Sequence, residues 1–153
     1  MASSRAGTRS TVDEYFPTLS DDVASFLVRE GEDPWSHEEI VETVEVLLEE
    51  RDRLTQEIAA ADADLAEFLR NSGDGSGDDQ ADYGSSALER EQELTFLNNS
   101  RDMLEQTKLS LQRISSRVYG TCESCGNAIG KARQMAFPRA SLCVTCKQRE
   151  ERR

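Results

Sequence analysis

Cysteine occurs four times in the 153 residues, as Cys122-x2-Cys125 and Cys143-x2-Cys146, with 17 residues between the pairs. Two residues between cysteines let a tight turn aim both sulfurs at one point. Two such turns supply four thiolates to a tetrahedral zinc site with Zn–S bonds of ~2.3 Å. The single histidine, His37, lies far away in sequence, which leaves the thiolates as the ligand set. Such a site is coordinatively closed, so its one zinc ion is expected to be structural and the chain is not expected to be an enzyme. The alternatives for the same residues are disulfides or a redox-active pair. No secretory segment opens the chain, which favours reduced thiols, metal and a cytoplasmic location.

Charged residues make up 31% of the chain, hydrophobic residues 37%, and the net charge is −12. A large compact core is not expected, and no run of apolar residues is long enough to span a membrane. The acid is unevenly placed. Residues 36–70 carry three cationic and eleven anionic side chains, whereas 119–153 carry seven and three. Broad affinity for nucleic acid is therefore disfavoured, and any DNA contact is expected to be indirect. In the cysteine segment, Lys131, Arg133, Arg139 and Lys147 stand to offset the −2 charge of a four-thiolate zinc site. The same basic face could instead touch nucleic acid or an acidic protein.

Two long helices are expected to position this segment. A short amphipathic helix around Val23, Phe26, Leu27 and Val28 ends at Gly31-Glu-Asp-Pro34. Ser36 and Glu39 then stand at capping-box spacing, with Trp35 and Ile40 as a hydrophobic staple and His37 solvated in the first turn. From there Ile40, Val44, Leu47, Leu54, Ile58, Ala61, Leu65 and Phe68 follow a heptad seam interrupted only by Arg51. Residues 71–85, with three glycines in seven residues, break the helix. Ser86 and Glu89 repeat the capping spacing. Leu97, Leu104, Leu111 and Val118 then recur every seven residues, flanked by Leu94 and Ile114, with Arg101 and Lys108 in the companion seam. Matched lengths and a long loop favour an antiparallel intramolecular hairpin of ~50 Å, hence a monomer, over a dimeric coiled coil. The expected fold is mainly α: the hairpin over 36–118, preceded by the tail and short helix of 1–35 and followed by a small four-cysteine globular end over 119–153. In that end Gly126 suits a positive-φ knuckle turn, Pro138 fixes a turn, and Ile129, Met135 and Phe137 form a miniature core.

The loop between the helices holds Asp74, Asp78, Asp79 and Asp82 without a cation. Alone, such a run is a solvated loop. At the tip of a rigid rod it becomes a probe for Mg(II) or for the basic residues around one. Tyr119-Gly120-Thr-Cys122-Glu-Ser-Cys125-Gly126-Asn-Ala-Ile129-Gly130, then Arg133, Ala136-x-Pro138-x-Ala140 and Leu142-Cys143-Val-Thr-Cys146-Lys147, together with Asp79-Gln-Ala-Asp82-Tyr-Gly84, resemble the DksA/TraR zinc-finger family of bacterial transcription regulators. The resemblance implies direct binding to RNA polymerase, with the coiled coil in its secondary channel and Asp79, Asp82 and Gly84 at the tip near the catalytic magnesium. It further implies altered promoter-complex lifetimes in the stringent response, in concert with ppGpp. This chain departs from the family pattern at Gly84, where an alanine is usual, and at Tyr83, where a basic residue is usual. Seven residues after Cys146 leave little room for a C-terminal helix. Two other functions fit parts of the pattern: a transcript-cleavage factor, whose acidic tip would hold a second Mg(II), and a zinc-ribbon adaptor for nucleic acid or protein.

Overall fold

The computed structural model describes residues 11–72 and 80–153, with 72 and 80–85 described by their backbone alone. The elements are a helix over residues 11–15 (α1), α2 Leu19–Asp22 continued by a 3-10 turn Val23–Ser25, α3 His37–Ser72, α4 Gln80–Ser115, α5 Lys131–Ala136 and α6 Val144–Glu151. The described residues fall into two compact units, those of Met1–Glu49 with Gln106–Arg153 and those of Glu50–Glu105.

The capping box at the start of α3 forms as the spacing requires. Ser36 N donates to Glu39 Oε1 at 2.9 Å and Glu39 N donates to Ser36 Oγ at 3.1 Å. Trp35 and Ile40 are both buried beside it, and His37 is exposed. In the first unit Ile40, Val44 and Leu47 face the core with Val41 and Leu48, two positions outside the seam. They are buried because Val12, Phe16, Leu19, Val23 and Phe26 of the N-terminal segment cover that second face. The short helix therefore lies earlier than expected: Phe26 is already extended and Leu27 is exposed.

In the second unit α3 and α4 run antiparallel, as their cross-contacts show. Arg101 pairs with Asp62 at 2.8 Å, and farther along α3 the Arg90 guanidinium lies 5.0 Å from the Phe68 ring centroid. Leu54 and Leu97 are buried there, while Phe68 is exposed. The companion seam of α4 is not Arg101 and Lys108 but Ser100 and Thr107, both buried, leading to Ile114. Such hydroxyl side chains can enter a helix interface because they find an acceptor one turn back on their own helix. Neighbouring Ser110 does so, donating to the Gln106 carbonyl at 3.0 Å.

The break between the long helices is shorter than residues 71–85. Helix α4 starts at Gln80, so Ser86 lies inside it and does not cap it. One helical glycine, Gly84, costs only ~1 kcal/mol, a loss that added helical turns can offset. The other end of α4 stops early. Arg117 adopts φ 64°, its N–H reaches the Ile114 carbonyl at 3.2 Å, and Val118 N reaches the Arg113 carbonyl at 3.0 Å. This is a Schellman ending with a non-glycine residue in the left-handed position. The Arg117 side chain pairs with buried Asp22 at 2.8 Å, and Val118 is left exposed.

Candidate zinc centre

The two cysteine pairs sit on different local structures. Cys122 and Cys125 belong to a knuckle closed by an isolated bridge between Thr121 and Ala128. Within it, Cys122 N donates to the Asn127 carbonyl at 2.8 Å and Gly126 N to the Cys122 carbonyl at 3.0 Å. Gly126 takes φ 76°, which the turn demands and a side chain disfavours. Cys143 is the N-cap of α6 and Cys146 lies in its first turn. Helix α6 thus begins between the two cysteines and ends five residues past Cys146, and its start is what aims these two sulfurs.

All four sulfurs lie within 4.8 Å of one another, and Cys125 Sγ is 3.8 Å from Cys143 Sγ. A tetrahedron with 2.3 Å metal–sulfur bonds has edges of ~3.8 Å. The donor set fits one structural zinc ion. Burial opposes ionisation of Cys122, but the N–H groups of Cys143, Cys125 and Ser124 outweigh it and lower this thiol to about 6. At Cys146 the Ser124 hydroxyl favours the thiolate, yet the thiols of Cys143, Cys122 and Cys125 together with burial push it up to about 12. Cys122 and Cys146 thus do not titrate independently of their neighbours. A bound zinc ion supplies the charge that keeps all of them as thiolates.

The miniature core differs from expectation. Ile129 is buried, but Met135 and Phe137 are exposed. Gln134 takes the inward position of α5, fully buried, and its Nε2 donates to the carbonyls of Ala140, Pro138 and Phe137 at 2.9, 3.1 and 3.3 Å. A glutamine can occupy a core position when carbonyls converge on its amide, and this turns Met135 and Phe137 outward.

Polar contacts tie the finger to the segment ahead of α3. Glu32 accepts from the backbone of Lys131 at 2.9 Å and Ala132 at 3.0 Å, and from Arg29 N at 2.8 Å. The Lys131 ammonium is 2.8 Å from Glu39, so it serves this junction rather than the thiolate charge. Arg113 reaches Glu123 at 2.9 Å and donates to the Thr121 carbonyl. The sequence signalled Glu39 only as a capping residue; nothing local marks Glu32 as a partner for residues almost 100 positions away. The Ala132 N–H holds the Glu32 carboxyl below its ordinary 4.5, and Lys131 does the same for Glu39. Stability from these carboxylates is complete above the ordinary value and is lost as pH falls through the lowered ones. In a carbon-detected titration both carboxyls should show midpoints below 4.5. Glu32→Gln should lower the melting temperature at neutral pH, and an unchanged melt would discount this junction.

Of the sequence-predicted site residues, the structure brings together Cys122, Cys125, Cys143 and Cys146. Asp74, Asp78 and Asp79 lie outside the described residues. Asp82 and Gly84 fall in the helical backbone of α4, with the Asp82 side chain outside the description. Among the described residues no helix is long and apolar enough to cross a membrane.

Fold and site define a helical protein with two long paired helices and a closed C4-type zinc finger. The profile of the prokaryotic dksA/traR C4-type zinc finger matches residues 117–152. The RNA polymerase-binding transcription factor DksA of Caulobacter vibrioides is 37% identical over 75 residues, 49% of this chain and 53% of that protein. The chain thus spans about half the length of that relative. The Haemophilus influenzae protein of the same name is 24% identical over 125 residues, 82% of this chain and 83% of the relative. The structure of transcription factor DksA2 from Pseudomonas aeruginosa superposes with a TM-score of 0.60 at 26% identity, covering 75% of this chain and 84% of that one. Residues 117–152 are thus a finger of the dksA/traR type, and the chain as a whole is similar to DksA proteins.

Proposed function

We propose that this protein is a cytoplasmic, non-enzymatic transcription regulator that binds RNA polymerase directly as a monomer. The paired helices enter the secondary channel, and their acidic tip acts near the catalytic magnesium through Asp79 and Asp82. Cys122, Cys125, Cys143 and Cys146 hold the structural zinc, and DNA is contacted only through the polymerase. The observation that carries this reading is the likeness of the chain, finger and long helices together, to proteins named RNA polymerase-binding transcription factors, and of its fold to that of transcription factor DksA2. The charge of −12 agrees with a protein partner rather than free nucleic acid.

Co-purification with RNA polymerase tests the partner, and failure to co-purify sinks the proposal. For the tip, Asp82→Asn should bind polymerase within about twofold of the parent, as expected where a single charge contact is lost, yet lose its effect on initiation. Parent-like behaviour in transcription assays would remove the tip from the mechanism. Adding ppGpp to the same assay tests joint action, and 3′-end RNA cleavage in stalled complexes would favour the cleavage-factor alternative instead.

A further inference from the structure

Between α3 and α4 in the second unit lies a groove of about 390 Å³. Its cause is legible in the seam. Ala61 stands between Ile58 and Leu65 where a larger side chain would fill the space beside Leu97. Leu94 and Phe96 complete the apolar lining, and they are 38% and 57% exposed. A phenylalanine more than half exposed beside half-exposed Leu94 makes a contiguous apolar patch of the kind that marks an interaction site.

Asp64, Glu89 and Glu93 line the same groove, and no cation is among its lining residues. Residues 50–105 as a whole carry fifteen carboxylates against five cationic side chains. That field repels nucleic acid and an anionic membrane, and the net charge of −12 opposes a second copy of the chain as a whole. It attracts a segment that is cationic and presents an apolar side chain.

We infer that this groove is a docking site for a basic amphipathic protein segment, whose apolar side chain packs on Phe96 and Leu94 while its lysines or arginines meet Asp64, Glu89 and Glu93. Under the proposed function such a segment belongs to the polymerase. The groove chemistry stands whether or not that partner is correct.

The test uses the full zinc-loaded chain and two synthetic helical peptides, one of leucine and lysine and one of leucine and glutamate. The leucine–lysine peptide should bind and its counterpart should not. Phe96→Ser and the pair Glu89→Gln, Glu93→Gln should each weaken binding by about tenfold, the loss expected for one buried aromatic contact or two charge contacts. These positions are exposed, so an unchanged circular dichroism spectrum separates lost binding from lost fold. Equal binding of both peptides, or binding indifferent to Phe96→Ser, overturns the proposal. A photo-crosslinker at position 96 extends the test to polymerase. If the chain co-purifies with polymerase but position 96 marks no lysine- or arginine-rich segment, the groove assignment falls and the polymerase reading survives. If co-purification fails while the peptide results hold, the reverse is true.

Discussion

Stripped of zinc by a strong chelator at neutral pH, the protein should lose the fold of residues 117–152 as well as the ion. The buried cluster of the finger is Cys122, Ile129 and Cys146, with Leu142 and Cys143 packed against it. Three of those five side chains are thiols of the metal site, so little apolar burial remains to hold the knuckle against α6. Structural zinc is worth ~10–16 kcal/mol at pH 7 in comparable small fingers, far more than buried Ile129 and partly buried Leu142 contribute at no more than ~1.5–3 kcal/mol each. The effect should extend beyond the finger, because Glu32 and Glu39 are bonded to Lys131 and Ala132. Cleavage by trypsin at Arg133, Arg139 and Lys147 should therefore accelerate, with cleavage after Arg29 following as the backbone there loosens. The far-ultraviolet signal of α3 and α4 should largely persist, since most of the larger core belongs to α3 and the N-terminal segment. Cys146→Ser should give the same protease pattern and reduce bound zinc well below one ion per chain. Acidification leads to the same state, because every ligand must be deprotonated to hold the metal. A chelated protein with an unchanged protease pattern would mean that side-chain packing alone folds the finger.

Long-range features explain where the sequence was legible and where it was not. The α3 seam and the capping box could be read because both depend on residues three and four positions apart. The four cysteines could be read because a zinc site needs a specific residue type at a specific spacing. Val41 and Leu48 could not be assigned to the core, since only the packing of the N-terminal segment gives α3 a second buried face. Thr107 and Ser100 were hidden by hydropathy, which scores a hydroxyl as polar whether or not its own helix offers an acceptor. Met135 and Phe137 misled for the opposite reason. Their apolar character suggested a core, but three carbonyls converging on Gln134 decided which face of α5 turned inward. The groove beside Ala61 was equally invisible, because a small residue in a seam becomes a cavity only when the opposite helix fails to fill it.

Replacing Tyr119 by alanine should be among the most destabilising single changes outside the metal ligands. Tyr119 is fully buried between the N-terminal segment and the finger, 6.1 Å between ring centroids from both Phe26 and Trp35. Its hydroxyl donates to the Pro138 carbonyl at 2.8 Å, which fastens the finger to that aromatic cluster. Large aromatic-to-alanine changes at such sites cost ~3–5 kcal/mol, a large part of the ~5–15 kcal/mol available to a small domain. The phenylalanine variant separates packing from hydrogen bonding. Gln134 Nε2 also donates to the Pro138 carbonyl, at 3.1 Å, so Tyr119→Phe leaves that oxygen with a partner and should cost only about 1 kcal/mol. Gly120→Ala, one residue on, should resemble the alanine variant more than the phenylalanine one. Gly120 has φ 88°, and an added Cβ would stand 3.0 Å from the Leu27 carbonyl oxygen, which is backbone and cannot swing aside. Urea unfolding followed by Trp35 fluorescence measures all three variants in one assay. A Tyr119→Phe midpoint as low as that of Tyr119→Ala would mean that the hydroxyl, not the ring, holds the finger against the N-terminal segment.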